Sequence, residues 1–205
     1  MTTYVALVPV KPPALGKSRL VGLPDDRRRA LAAAFALDTV AACVATASIA
    51  EVLVATDDAS FSVELAGLGA VTIPDGVAMD LNGTLRQSAA EARRRWPDLV
   101  PVALTADLPA VQPGDLEEAL AGLVPGEAAY VADTTGLGTT LYTASYERFD
   151  PHFGPGSALA HDATGARSIT APLPRLRRDV DDLEDLQDAL ALGVGPRTAE
   201  RAASV

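Results

Sequence analysis

Short apolar runs and longer, loosely amphipathic stretches alternate along the whole chain. Val, Ala and Leu dominate the run after Tyr4, comparable runs follow at 51–56 (EVLVAT), 70–73 (AVTI), 100–105 and 128–132, and a further strand is expected at 138–143, whose glycine and threonines are unusual for a plain strand. Apolar runs of this length, bounded by turn residues, predict buried strands. The stretches between them predict helices. Pro24 and Asp25 announce one over 26–47, in which Leu31, Phe35, Leu37, Val40 and Val44 follow the helical period on an alanine background. A brief helical piece precedes residue 70. Further helices are expected over 81–96, stopped by Pro97, and over 113–122. Three more are expected over 157–163 with Ser157 as cap, over 182–192, and after Gly195. Strand and helix in alternation predict an α/β protein with a mostly parallel central sheet and helices on both faces. No internal repeat, low-complexity linker or second core interrupts the pattern, so residues 1–205 are expected to form a single domain.

The first strand empties into a basic loop. Lys11, Pro12 and Pro13 follow it, then Gly16, Lys17, Ser18 and Arg19, and Lys11 and Lys17 are the only lysines in the 205 residues. In an open α/β sheet the ligand crevice lies outside the carboxyl ends of the strands, so positive charge here faces an anionic ligand. Gly16, Lys17 and Ser18 match the end of a P-loop. Lys11 stands where that loop needs its first glycine, and Pro12 and Pro13 lack amide hydrogens to cradle phosphate, so a P-loop is excluded. The dinucleotide pattern GxGxxG is absent as well.

Charge narrows the ligand further. A net charge of −10 and an isoelectric point near 4.6 oppose binding to nucleic acid or to an anionic membrane, so any anionic ligand must be held by local positive charge or by metal ions. Cys43 is the only cysteine and sits in an alanine-rich helical stretch, where a small buried residue is expected. There is no secretory leader pattern and no apolar run near the ~18 residues of a membrane span, so a cytoplasmic protein is expected.

Three carboxylates stand where one element gives way to the next. Asp107 follows the 100–105 strand, and Asp179 and Asp181 precede the 182–192 helix. Each has an ordinary alternative: Asp107 as a turn residue, the other two as helix caps, since Glu184 follows Asp181 at capping-box spacing. Together with a basic loop in one α/β domain, they read as oxygen ligands for a divalent metal in phosphoryl chemistry. His152 and His161 invite a general-base reading, but a phosphate nucleophile is already ionised at neutral pH, so neither is expected to serve as one. Arg175, Arg177 and Arg178, just ahead of the aspartates, are candidates for holding a pyrophosphate.

The blocks VPVKPPALGKSRL at 8–20, TADLPA at 105–110, GTTL at 138–141, FGPGS at 153–157 and DVDDLEDL at 179–186 span nearly the full chain. In this order they resemble the phosphoenolpyruvate / 2-phospho-L-lactate guanylyltransferases of coenzyme F420 biosynthesis, which have the Rossmann-like, molybdenum-cofactor-type nucleotidyltransferase fold. Related nucleotidyltransferases carry a glycine-richer first loop of the LAGGxGxR type, and the lysines and prolines here depart from it. The resemblance implies that Asp107, Asp179 and Asp181 hold Mg²⁺, with Mn²⁺ able to substitute. Lys17 and Asp107 would be catalytic, and Lys11, Lys17 and Arg19 would lie along the GTP triphosphate. Thr139, Gly154 and Ser157 would bind a small phosphorylated three-carbon acid, and residues 75–84 would read the base. It also implies, as a partner, the downstream F420 transferase that takes the product. Transfer to molybdopterin, a sugar phosphate or 3-phosphoglycerate, and a catalytically silent nucleotide-binding module, are the competing readings.

Overall fold

The computed structural model describes residues 3–12, 20, 22–77, 80–124 and 126–203. Seven strands form one sheet in the order β3-β2-β1-β4-β6-β5-β7. They are β1 (Tyr4–Pro9), β2 (Ile49–Ala55), β3 (Val71–Ile73), β4 (Val100–Leu104), β5 (Ala129–Ala132), β6 (Thr139–Thr143) and β7 (Arg167–Ser168). β6 alone runs against the rest, antiparallel to both β4 and β5. The helices are α1 (Asp25–Val44), α2 (Ala59–Gly67), α3 (Leu81–Arg95), α4 (Pro113–Ala121), α5 (Ser157–Ala163), α6 (Pro174–Arg177), α7 (Leu183–Leu192) and α8 (Pro196–Ala202).

Alternation along each strand sorts the core into two layers. Tyr4, Ala6 and Val8 of β1, with Val52 and Val54 of β2, face α1, α2 and α4, where Leu37, Val40, Phe61, Leu65 and Leu116 close over them. Val5, Leu7 and Leu53 point the other way, onto Leu85, Ala89 and Ala92 of α3 and Ala158 of α5. Each fully buried aliphatic side chain contributes about 1.5–3 kcal/mol of transfer free energy, and a strand buried on both faces contributes it from every residue. A third cluster joins Leu31 and Phe35 of α1 to Leu20, Val180, Leu186 and Ala189. It seats α7 against the start of the chain. The buried carboxylate of Asp38 accepts the Arg197 and Thr198 amides and so fixes α8 to α1.

The α/β reading, with helices on both faces of a mostly parallel sheet, holds. Helix α1 ends at Val44 rather than at 47, and the two-residue β7 and one-turn α6 are too short to leave a periodic signal. Helix α5 is preceded by Gly156 in the left-handed conformation (φ 71°), so Ser157 is its first residue and not its cap. Among the described residues no helix is long and apolar enough to cross a membrane.

Candidate active site

β1 lies between β2 and β4, with both of its pairings parallel. The chain leaves β1 toward β2 and β3 on one side, and β4 pairs on the other. The carboxyl ends of β1 and β4 therefore flank a topological switch point, the place where such sheets bind ligands. Lys11, two residues past β1, stands there exposed to solvent. Lys17 and Arg19 lie outside the described residues.

Asp107 leaves the end of β4 in a turn held from α1. The Thr39 hydroxyl accepts the Leu108 amide at 3.1 Å and donates to the Phe35 carbonyl at 2.8 Å. The Asp107 carbonyl in turn accepts the Val180 amide at 3.0 Å, which brings the 179–181 segment alongside. Capping of α7 falls to Asp182, whose carboxylate accepts the Glu184 and Asp185 amides while Asp185 reaches back to the Asp182 amide. Asp179 and Asp181 are thus not cap residues, and the capping alternative fails for them.

The electrostatics of Asp179 reveal the cluster. Burial, and then the negative charges of Asp107, Asp181 and Asp133, push its carboxyl up to about 7. Four carboxylates therefore share one region of negative potential, and a cation is the species that relieves it. Among the described residues no three acidic, imidazole or thiol groups stand as a ready cage for a metal ion. The donor chemistry and the field suit a divalent cation; the closed shell is not pre-assembled. Asp133 was not singled out in the sequence because it reads as a plain turn residue. Its carboxylate closes the β5–β6 turn, accepting from Thr135 Oγ1 at 2.9 Å, Leu137 N at 3.1 Å and Gly138 N at 3.0 Å.

Arg177 holds this arrangement together. Its guanidinium donates to the carbonyls of Ala132, Ile169, Ala171 and Pro172, and its own carbonyl accepts from the Thr134 amide and hydroxyl. The end of β5 and the segment leading to Asp179 are thereby tied to each other. Arg175 makes a two-pronged pair with the buried Asp115, at 2.9 and 3.0 Å. Arg178 pairs with Asp185 and Asp188. All three arginines are thus engaged within the protein, Arg177 most fully.

On the far side of the β5–β6 turn stands a group of uncharged polar residues. Thr139 opens β6, and the Leu137 carbonyl accepts the Ala158 amide at 3.1 Å, which draws the start of α5 against the turn. Ser157 there is 1% exposed, and among the described residues its hydroxyl has no hydrogen-bond partner, a costly state that a ligand oxygen would relieve. Gly154, whose carbonyl accepts the Ser157 amide, has φ 132° and open space where a Cβ would stand. A side chain at Gly154 is therefore opposed by backbone strain rather than by lack of room. Thr139, Gly154 and Ser157 are thus linked through the start of α5, and the 133–138 turn joins Thr139 to Asp133 of the acidic group.

Two further expectations resolve here. His161 is fully buried, and burial chiefly, with a smaller contribution from His152, pushes its imidazole down to about 4. Both its nitrogens are engaged within the protein, so it is no general base. His152 stands half-exposed against Asp150, which also binds Arg86. Buried Cys43 has its thiol pushed up to about 12 and is inert. Beside the 75–84 stretch, a cavity of about 250 Å³ opens at the carboxyl ends of β2 and β3, lined by Thr56, Asp57, Ser62, Thr72 and Pro74 among others. Asp57 accepts the Asp75 amide at its edge.

No protein-family model matches the chain. Among solved structures it is similar to a nucleotidyl transferase from Methanothermobacter, with TM-score 0.56 and 15% identity over 94% of this chain and 98% of that one. It is also similar to the 4-diphosphocytidyl-2C-methyl-D-erythritol synthase of Anaerococcus prevotii, with TM-score 0.61 and 10% identity over 93% and 95%. These likenesses concern the fold. By sequence it is 47% identical over 203 residues to the phosphoenolpyruvate guanylyltransferase of Thermomonospora curvata, covering 98% of this chain and 89% of that one. It is 45% identical to the Streptomyces coelicolor protein of the same name, covering 98% and 96%. With this identity over nearly the full length, the chain belongs to the phosphoenolpyruvate guanylyltransferase family.

Proposed function

We propose that the protein joins GMP from GTP to phosphoenolpyruvate and releases pyrophosphate, in the cytoplasm, as a step of coenzyme F420 biosynthesis. One observation carries the reading. Asp133, at the start of the 133–138 turn, adds to the negative field at Asp179, and Thr139 follows the same turn with the unpartnered Ser157 hydroxyl of α5 drawn against it, which supports a cation bound beside a small anion.

Phosphoryl transfer between two polyanions is governed by charge neutralisation and alignment. Thr139 and Ser157 hold the acid by its oxygens, with the amides of the Gly154–Ser157 loop nearby. A set of neutral donors binds a dianion without adding to the charge of an acidic protein. Lys11, with Lys17 and Arg19 later in the sequence, would supply positive charge to the triphosphate. The acid's phosphate oxygen, already ionised at neutral pH, attacks the α-phosphorus of GTP. One oxygen–phosphorus bond forms, the bond to the pyrophosphate oxygen breaks, and no proton is abstracted. Asp107, Asp179 and Asp181 would hold Mg²⁺, or Mn²⁺ in its place, and the bound ion would neutralise charge on the phosphates as pyrophosphate departs.

Pyrophosphate release tests this directly. GTP and Mg²⁺ are incubated with phosphoenolpyruvate, 2-phospho-L-lactate or 3-phosphoglycerate in parallel, with and without excess EDTA. Release with phosphoenolpyruvate that EDTA abolishes is expected. No release with any of the three acids would refute the proposal, and stronger release with another acid would reassign the acceptor.

A further inference from the structure

One buried side chain touches every element of the acid pocket. The His161 ring is stacked on Tyr142 of β6 (centroids 4.5 Å, planes 17° apart) and on Tyr130 of β5 (5.6 Å, 28°), with His152 and Phe153 edge-on. Its two nitrogens have separate partners. The His152 backbone amide meets Nε2 at 3.0 Å, and an amide only donates, so Nε2 is the lone-pair nitrogen. A neutral imidazole carries its single proton on the other nitrogen. That nitrogen, Nδ1, stands 3.0 Å from Thr139 Oγ1, so the Thr139 hydroxyl accepts there, and the Ser157 backbone one turn back on α5 also hydrogen-bonds the ring. Among the described residues Thr139 Oγ1 has no second protein partner, which leaves its own proton to donate outward. The depressed basicity of the buried ring keeps this state at neutral pH.

The loop between His152 and Gly154 is gripped from the other side as well. Asn82 of α3 accepts the Phe153 amide at 2.8 Å and donates to the Phe153 carbonyl at 2.9 Å. The loop carrying Gly154 and Ser157 therefore hangs between Asn82 and His161, and only His161 also reaches Thr139.

We propose that His161 is the positioning residue of the acid pocket: its Nδ1–H tautomer commits the Thr139 hydroxyl to donate to an oxygen of the phosphorylated acid, while Nε2 anchors the loop that carries Gly154 and Ser157. This rests on the reading of Thr139 and Ser157 as acid ligands. It gives the ring a role in one substrate's affinity without contact to that substrate. The same ring stabilises the fold by stacking, and the two roles separate experimentally.

Long-range ¹H–¹⁵N spectra of the ¹⁵N-histidine protein read the tautomer without any turnover. A neutral ring protonated on Nδ1 is expected at neutral pH; a ring protonated on Nε2, or on both nitrogens, overturns the proposal. His161→Phe keeps the stacked ring and deletes both hydrogen bonds, and His161→Asn restores a donor at the Nδ1 position. His161→Phe should raise the KM for phosphoenolpyruvate about tenfold or more, the cost of one hydrogen bond to a charged group, with the KM for GTP within about twofold. His161→Asn should recover a large part of that loss. Equal rises in both KM values, or an Asn variant no better than Phe at matched Tm, would mean that the ring only supports the fold. A wild-type protein that makes no pyrophosphate from GTP and phosphoenolpyruvate refutes the function instead, and the spectra then decide for His161 alone.

Discussion

Replacing Asp179 by Asn should make the protein more stable and less active at once. Its carboxyl is pushed from 3.8 to about 7 by burial and by the charges of Asp107, Asp181 and Asp133. At about 1.4 kcal/mol per pKa unit, the ionised side chain costs the metal-free fold up to about 4 kcal/mol. The amide removes the repulsion and keeps the shape, but it still has to be desolvated, so a gain of roughly 1–3 kcal/mol is expected. For a chain of this length that corresponds to a Tm rise of roughly 3–10 °C. Between 3.8 and about 7 the folded state binds the proton that the unfolded state has lost. Stability of the wild type therefore falls as pH rises through that window, and the advantage of Asn grows in the same direction. Thermal unfolding in EDTA at about pH 8 and about pH 5, alongside turnover in Mg²⁺, measures both effects. Turnover should drop by orders of magnitude. A variant less stable than wild type in EDTA would refute the clustering, and one that keeps its activity would refute the assignment.

The remaining predictions address the other parts of the site. Ser157→Ala and Thr139→Val should each raise the KM for phosphoenolpyruvate about 10–100-fold, as loss of one donor to a charged ligand does, with GTP little affected; parallel titrations of the two substrates check this. Lys17→Ala should weaken GTP use strongly in a protein of net charge −10, and unchanged GTP kinetics would remove the first loop from the site. Arg175→Ala leaves the buried Asp115 without its two-pronged partner and should lower stability by about 1–3 kcal/mol, with both KM values unchanged; a shift in pyrophosphate inhibition instead would return Arg175 to the site. His161 acts oppositely to Asp179 on acid stability. Its folded pKa of about 4 lies below the ordinary 6.5, so the unfolded chain takes the proton first and stability falls as pH drops from 6.5 toward 4, by about 3 kcal/mol at most. The two slopes offset each other in the wild type, so Asp179→Asn should unfold more steeply on acidification. A further His161→Phe change should remove that slope.

Short runs rich in apolar and β-branched residues were enough to read six of the seven strands, because burial within the sheet favours such residues. The same patterning gave most of the helices and the parallel character of the sheet. Asp107, Asp179 and Asp181 stood out by their places at element boundaries, and Thr139, Gly154 and Ser157 through the family resemblance of GTTL and FGPGS. What no local pattern carries is the meeting of segments far apart in the chain. Asp133 joins the carboxylates only because β6 reverses between β4 and β5 and sets the β5–β6 turn beside Asp179. Arg177, equally suited by type to a phosphate, is consumed by four carbonyls that the fold brings to it. In the sequence His161 carries no assigned role beyond a disfavoured base. Its neutral state follows from burial against the neighbouring Tyr130 and Tyr142, and its tautomer from the one amide donated by His152, contacts that exist only when β5, β6 and α5 have come together. Charge and periodicity are properties of neighbours along the chain, whereas desolvation and hydrogen-bond partnership belong to neighbours in space, and the chemistry of this site depends on the second kind.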